Sequence, residues 1–386
     1  MKRKKKLFIT SLILLPVLFQ YSTGIKGFTF GDLFFVLSLI PFLISNNKTI
    51  KKQKSIYIVI LFVLLQTFVF YFAGTLNSIT TALRYIVYLL GIVYFSSLKE
   101  CRNYAFKVLE IVSISLATLF FVQYFALHVM GMAFPGVLTF LPMTDESLYD
   151  YSNVVFVYNN GRCMSAFAEP SHFAIYILLY LGVKLFERPV LSAHALFICA
   201  FISLSLILCS SFTGVAGMAF LWIFRFLFFL RSGGKTIWVL LIIAPILVAG
   251  AIYAFNNTDA GAYIFNQDVM DRQSGQRFSG FAYIELMSGT SRLIGSGMIE
   301  MGEEVYLSGW PRLYYYYGII GAILYVVSFL LTSKWKSLSM ILLLLIAILM
   351  IGTEMNFASF IMPFMLMVAL TKDGYFFFVD SQKQRR

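Results

Sequence analysis

The residues best suited to chemistry cluster where the chain reads Gly161-Arg162-Cys163-Met164-Ser165-Ala166-Phe167-Ala168-Glu169-Pro170-Ser171-His172-Phe173-Ala174. A guanidinium precedes a carboxylate by seven residues, and a hydroxyl and an imidazole follow at once. Arginine's planar fork grips phosphate oxygens in pairs and stays charged in a partly dry site. A carboxylate or imidazole beside it can take the proton of an attacking hydroxyl. Arg162, Glu169 and His172 are therefore candidate catalytic residues. A second reading of Glu169-Pro170-Ser171 is purely structural, because Pro suits the first turn of a helix and a carboxylate suits its positive end.

Further arginines follow in one long stretch: Arg272, Arg277 and Arg292, then Gly295-Ser296-Gly297, then Ser308-Gly309-Trp310-Pro311-Arg312-Leu313 and the tyrosines Tyr314 to Tyr317. Arg162, Arg277, Arg292 and Arg312 are candidate ligands for a phosphate-bearing substrate, while Trp310 and Tyr314 could stack on sugar rings or form a membrane-interface belt. Metal ligation has little basis. No Asp-x-Asp occurs, Asp268-x-x-Asp271 stands alone, and His128, His172 and His194 lack ligand spacing. Phosphate-binding P-loops and Gly-x-Ser-x-Gly elbows are also absent, so neither a cofactor nor a metal is expected.

The elements that must position these groups are set by composition. At 60% apolar and 12% charged residues over 386, the chain is too apolar for a water-soluble fold, which is nearer half apolar and a quarter charged. Apolar runs of helical length predict an all-α integral membrane protein, a single polytopic bundle over 1–386. Its lipid partner is the bilayer. A transmembrane barrel would need strict alternation, which these runs lack. The net charge of +12 follows membrane sidedness and implies no nucleic-acid partner. Cys101, Cys163, Cys199 and Cys209 suggest no disulfide framework.

Twelve spans are predicted, near 7–22, 28–45, 55–73, 79–98, 105–130, 170–187, 190–209, 213–230, 236–255, 310–331, 338–352 and 356–371. Lys and Arg accumulate in every second connection, from Lys2–Lys6 at the N-terminus to Lys372, Lys383, Arg385 and Arg386 at the other. Since cytoplasmic loops retain these residues, both termini should face the cytoplasm. The first span resembles a signal peptide, but Pro16 interrupts it and no Ala-x-Ala cleavage site follows, so it is expected to remain. Two long segments, 131–168 and 256–309, are then outside and should fold as lids, since loops of that length with Trp, Tyr, Phe and Arg are usually functional. Outside, five of the six basic residues are Arg, with Lys26 the exception. Arg84 and Glu110 are ionisable residues inside spans; Arg84 either pairs with an acid or snorkels to a head group.

Arg162 followed by Phe167-Ala168-Glu169-Pro170-Ser171-His172-Phe173-Ala174 resembles the Arg…Phe-x-Glu-Pro-Ser-x-x-Ala segment of the bacterial O-antigen and capsular polysaccharide polymerase family. Cys209-Ser210-Ser211-Phe212-Thr213-Gly214 resembles that family's Ser-x-Thr-Gly turn. Ile294-Gly295-Ser296-Gly297 and Tyr317-Gly318-Ile319-Ile320-Gly321 are similar to its last long loop and following span. The resemblance covers 160–325 by motif and the whole chain by layout. It implies a metal-independent glycosyltransferase of the GT-C type in the bacterial cytoplasmic membrane. Its donor and acceptor would be polyprenyl-diphosphate-linked oligosaccharides, polymerised outside into O-antigen, capsular or exopolysaccharide chains. A chain-length regulator and a flippase would be its protein partners. Under this resemblance Arg162, Arg277, Arg292 and Arg312 hold the diphosphate, and Glu169 either accepts the acceptor proton or orients Arg162, with His172 a further base. Leu307 and Ser308 stand where ligases of the superfamily carry a His, which favours polymerase over ligase. The alternatives are a ligase-like glycan transferase and a polysaccharide exporter or flippase.

Overall fold

The computed structural model describes residues 2–25, 28–45, 54–72, 79–138, 140–144, 161–188, 190–232, 279–285, 289–297, 307–332, 337–353 and 358–371, with isolated positions between them. These residues are helical, apart from turns and the isolated bridges Tyr21–Met143 and Ser22–Thr29. In chain order the helices are α1 (Lys2–Leu18), α2 (Phe30–Ser45), α3 (Lys54–Phe72) and α4 (Ile79–Val93). A 3-10 turn (Phe95–Cys101) leads into α5 (Arg102–Met130). Then come α6 (Pro170–Phe186), α7 (Ala193–Leu208), α8 (Phe212–Ser232) and the short α9 (Gly289–Ile294). The last three are α10 (Gly309–Thr332), α11 (Ser337–Gly352) and α12 (Ala358–Leu370).

Eleven of the twelve predicted spans coincide with a helix, and the one at 236–255 lies outside the described residues. Among the described residues, three helical stretches are long and apolar enough to cross a membrane: Ser55–Phe72, Phe95–Met130 and Gly309–Leu331. Shorter apolar stretches lie in α2, α4, α6, α7, α8, α11 and α12. A helix such as α2, of 16 residues, reaches only about 24 Å against the roughly 30 Å of a hydrocarbon core. An all-helical membrane-type bundle therefore stands, while twelve crossings remain an expectation.

Which helices are central follows from their sequences. The α6 run Phe173-Ala174-Ile175-Tyr176-Ile177-Leu178-Leu179-Tyr180-Leu181 is apolar on every face, and all of it is buried, as a helix without a polar stripe must be. Small residues bring α8 against it: a Cβ added at Gly214 would lie 2.9 Å from Ala174 Cβ, and one at Gly217 2.6 Å from Leu178. Helix α12 is also buried throughout, with Met362, Met365 and Met367 filling an irregular core. By contrast α3 exposes Ile58, Leu61, Leu65, Phe68 and Phe72, a surface suited to lipid rather than water.

The bundle has two chemically different ends. At one, Lys5 donates to the Ser97 carbonyl (2.9 Å) and pairs with Glu100 (3.5 Å), while Lys184 pairs with Glu110 (2.6 Å). Arg102 lies over Phe106, and Arg225 over Phe186 and Phe228. These residues belong to the set expected inside. At the other end residues 140–144 bond to the chain just after α1, with Ser22 N–H donating to Pro142 O (2.8 Å) and Thr144 N–H to Gln20 O (2.9 Å). The Arg162 and Glu169 segment is at this second end.

Candidate active site

Arg162 is 7% exposed, in the stretch that leads into α6. Two nearby non-glycine residues, Ser165 and Ser210, have left-handed backbone (φ 53° each). Such conformations cost about 1–3 kcal/mol and persist only where the surroundings hold them. Ser165 is held on several sides. Its Oγ donates to Leu116 O (2.7 Å), and its carbonyl accepts from Gln123 Nε2 (3.1 Å). Gly136 approaches the same carbonyl so closely that no side chain would fit there. Gln20 Nε2 donates to the next carbonyl, Ala166 O. Beneath, Cys163 and Cys209 are buried neighbours, and Arg162 is close enough to Cys209 to act on it electrostatically. Arg162 and Cys163 therefore lie near Cys209, at the end of α7. Burial, with Cys209 nearby, pushes the Cys163 thiol up to about 12, so it is protonated and is no nucleophile at neutral pH.

Glu169 occupies the N-cap of α6 in an extended conformation (φ −141°, ψ 148°), followed by Pro170 at the first helical position. This is the helix start that the structural reading of Glu169-Pro170-Ser171 expected. Glu169 makes no capping hydrogen bond to α6 with its own side chain, and its half-buried carboxylate sits at the positive end of that helix. That carboxylate accepts from Ser171 Oγ (3.0 Å) and forms no ion pair with any described residue. Among the described residues, then, Glu169 engages Ser171 and does not orient Arg162 through a salt bridge. The His172 ring lies 5.2 Å from that of Phe360 at the start of α12.

Helix α10 begins on the same rim. Gly309 N–H donates to Thr353 O (2.9 Å), just past α11, and α11 runs on to α12, whose Phe360 touches His172. Arg312 and Tyr314 are half-buried in the first turns of α10. Trp310 donates its indole N–H to Ala347 O (3.0 Å), tying α10 to α11. Arg292 is exposed on α9, with Nη2 donating to Glu285 O (3.1 Å). Arg277 and Arg272 lie outside the described residues, as does much of 256–309.

The two glycine motifs meet. Helix α10 breaks at Gly318 (φ 63°, ψ −172°), which frees carbonyls in the preceding turn. Ser296 N–H donates to Tyr315 O (2.8 Å) and Gly297 N–H to Tyr316 O (3.2 Å). Gln66 Nε2, from α3, donates to Tyr316 O (2.6 Å) and to Ile294 O. A Cβ at Gly318 would come within 2.4 Å of both Leu293 O and Gly295 N, so only glycine allows this approach.

Sequence reasoning missed several of these supports. Gln20, Gln66 and Gln123 each reach a backbone carbonyl of an outer segment, and their signal was an amide inside or beside an apolar run, where an unsatisfied one is costly. Asp32 was missed as well: it pairs with Arg84 (3.1 Å), so Arg84 takes an acid rather than snorkelling. Among the described residues no three His, Cys, Asp or Glu side chains converge as metal ligands. No protein-family model, curated protein or solved structure matches this chain.

Proposed function

We propose that this protein is an integral-membrane glycosyltransferase of the polysaccharide-polymerase type, joining polyprenyl-diphosphate-linked repeat units on the outer face of the bacterial cytoplasmic membrane. The observation that carries the reading is the pairing of motifs distant in sequence. Ile294-Gly295-Ser296-Gly297 docks on the Tyr315–Gly318 break, and Arg162 lies near Cys209, the residue before the Ser210-Ser211 turn. These are the motifs whose order resembles the polymerase family.

In this reading the diphosphate of the donor is held by Arg162 and Arg312, with Arg277 and Arg292 contributing from the second long loop. The acceptor hydroxyl attacks the donor's anomeric carbon, the bond from that carbon to the phosphate oxygen breaks, and the lipid diphosphate leaves. Glu169, beside the positive end of α6, takes the hydroxyl proton, with His172 the second candidate for that role. Arginine charge at the departing diphosphate stabilises the transition state, an effect for which single donors are worth about 10²–10³ in rate. Trp310 and Tyr314 border the path of the glycan. A chain-length regulator and a flippase are the partners this activity calls for.

The test is complementation of a strain lacking the gene by wild type, Arg162→Lys, Glu169→Gln and Arg312→Lys at equal membrane abundance, with surface glycan resolved by length. Loss of long chains with accumulation of single lipid-linked units outside is the expected result. Long chains in every variant would remove the proposed site. Units held on the cytoplasmic leaflet would point to an exporter.

A further inference from the structure

Between His128 and Asp145 the chain carries no charged side chain, although this stretch leaves α5 and opens a segment expected to face water. Met130, Met132, Phe134, Leu138 and Phe140 are exposed there, Phe140 at 78%. Large apolar side chains gathered on a surface in this way mark a partner. The stretch is also firmly built. Gly131 ends α5 in left-handed backbone (φ 66°), and Met132 N–H donates back to Ala126 O (2.9 Å). Gln123 Nε2 donates to Phe134 O (3.0 Å), Leu138 N–H donates to Tyr21 OH (2.9 Å), and Val137 is buried. Through Gly136 the same stretch meets the Ser165 carbonyl, three residues from Arg162.

Its depth follows from α5. Residues 111–130, which begin just past Glu110, rise about 30 Å, the thickness of a hydrocarbon core, so Met130 stands at the edge of that core. Gln123 is about 10 Å further in. Since Gln123 holds the Phe134 carbonyl, the chain that leaves α5 at Met130 turns back beside the helix rather than away from the bilayer. Val122, Phe125 and Val129 share one face of α5 and are exposed, on a helix long and apolar enough to cross a membrane. Met130 and Met132 carry that surface into the stretch beyond. Irregular backbone is not tolerated against lipid within the hydrocarbon core, which leaves the head-group boundary, where apolar side chains dip among the upper acyl chains.

We propose that residues 130–138 and Phe140 form an interfacial anchor, seated in the bilayer surface with Met132, Phe134 and Phe140 among the lipid chains, and that the anchor fixes the height of the Ser165 turn above the membrane. The occupant is lipid because the surface continues a lipid-facing helix and offers no charge to a polar partner. The anchor does not depend on the polymerase reading. The test is nitroxide accessibility by power-saturation electron paramagnetic resonance, with the full chain in dioleoyl phosphatidylcholine vesicles. Labels are placed at Phe134→Cys, Leu138→Cys and Phe140→Cys, with Leu61→Cys on the exposed face of α3 as the lipid reference and the exposed Asp150→Cys as the water reference. Wild type carried through the same labelling corrects for the four buried native cysteines. Oxygen concentrates in lipid and nickel ethylenediaminediacetate in water, so the ratio of oxygen to nickel collisions at 134 and 140 should exceed that at 150 severalfold and approach that at 61. A ratio at both sites equal to that at 150 would place the stretch in water and overturn the proposal. Low collision with both reagents would also overturn it, by showing that protein covers the stretch.

Discussion

Arg162 shows how a residue's chemistry depends on the backbone that presents it. Its segment is held by Gln123, Gln20, Leu116 and Gly136, and includes the left-handed Ser165. Arg162→Lys keeps the charge but loses the planar fork, and we expect polymerisation to fall by about 10²-fold in a membrane assay with lipid-linked units, with Lys no better than Gln if bidentate geometry decides. Cys163 offers a check on burial that does not involve activity. Its folded thiol ionises near 12 against an ordinary 9, so between those values the unfolded chain loses the proton first and rising pH favours unfolding. Below pH 9 nothing is lost. Alkylation of Cys163 should accordingly stay slow through neutral pH and accelerate above 9 together with loss of helical signal; fast alkylation of the folded chain at neutral pH would contradict its burial.

At the scale of elements, side-chain amides and glycine contacts fasten the described parts of the two long segments to the helices. Gln66 donates to the carbonyls of both Ile294 and Tyr316, joining α3, the end of α9 and the break in α10. Replacing it with Leu leaves those carbonyls without that donor in an apolar setting, at about 1–3 kcal/mol. The expected outcome of Gln66→Leu is normal membrane insertion, faster protease cleavage within 289–297 and reduced polymer. Gly318→Ala should be harsher, because a left-handed backbone and a 2.4 Å contact both oppose a Cβ; thermal denaturation of the purified variant measures it. Gln123→Leu should act in the same manner on the 131–144 segment and Ser165.

For the whole molecule, two ends of opposite character matter more than any single contact. Lys5, Arg102, Lys184 and Arg225 gather at one, and Arg162, Glu169 and Arg312 at the other. Among the described residues, the ion pairs of Glu110 and Arg84 lie near helix ends: Glu110 is eight residues into α5 and Arg84 five into α4, about 12 and 8 Å along the axis. That placement does not describe a charged path through the bilayer midplane. Orientation is open to a direct measurement with a membrane-impermeant maleimide on intact cells. Asp150→Cys should react from outside, and Lys4→Cys only after permeabilisation. The reverse pattern would invert the topology and with it any reaction on the outer face.

The sequence by itself determined the class of fold and the places where it bends back on itself. Apolar runs of helical length can satisfy their backbone in lipid only as helices, and alternating clusters of Lys and Arg separate the two ends, so neither statement needed a contact. It also marked Arg162, Glu169 and Pro170, because a helix start has a local signature. Pairings across the bundle were not legible. That Arg84 meets Asp32, that Gln66 reaches a loop 228 residues away, and that Gly318 is opposed by Leu293 and Gly295 depend on which helices are neighbours and on their rotation. In a chain apolar on nearly every helical face, periodicity does not specify that rotation. Tertiary packing decided it, through small residues such as Gly214 and Gly217 that let α8 approach α6, and through buried amides and carboxylates that can reach their partners in few arrangements.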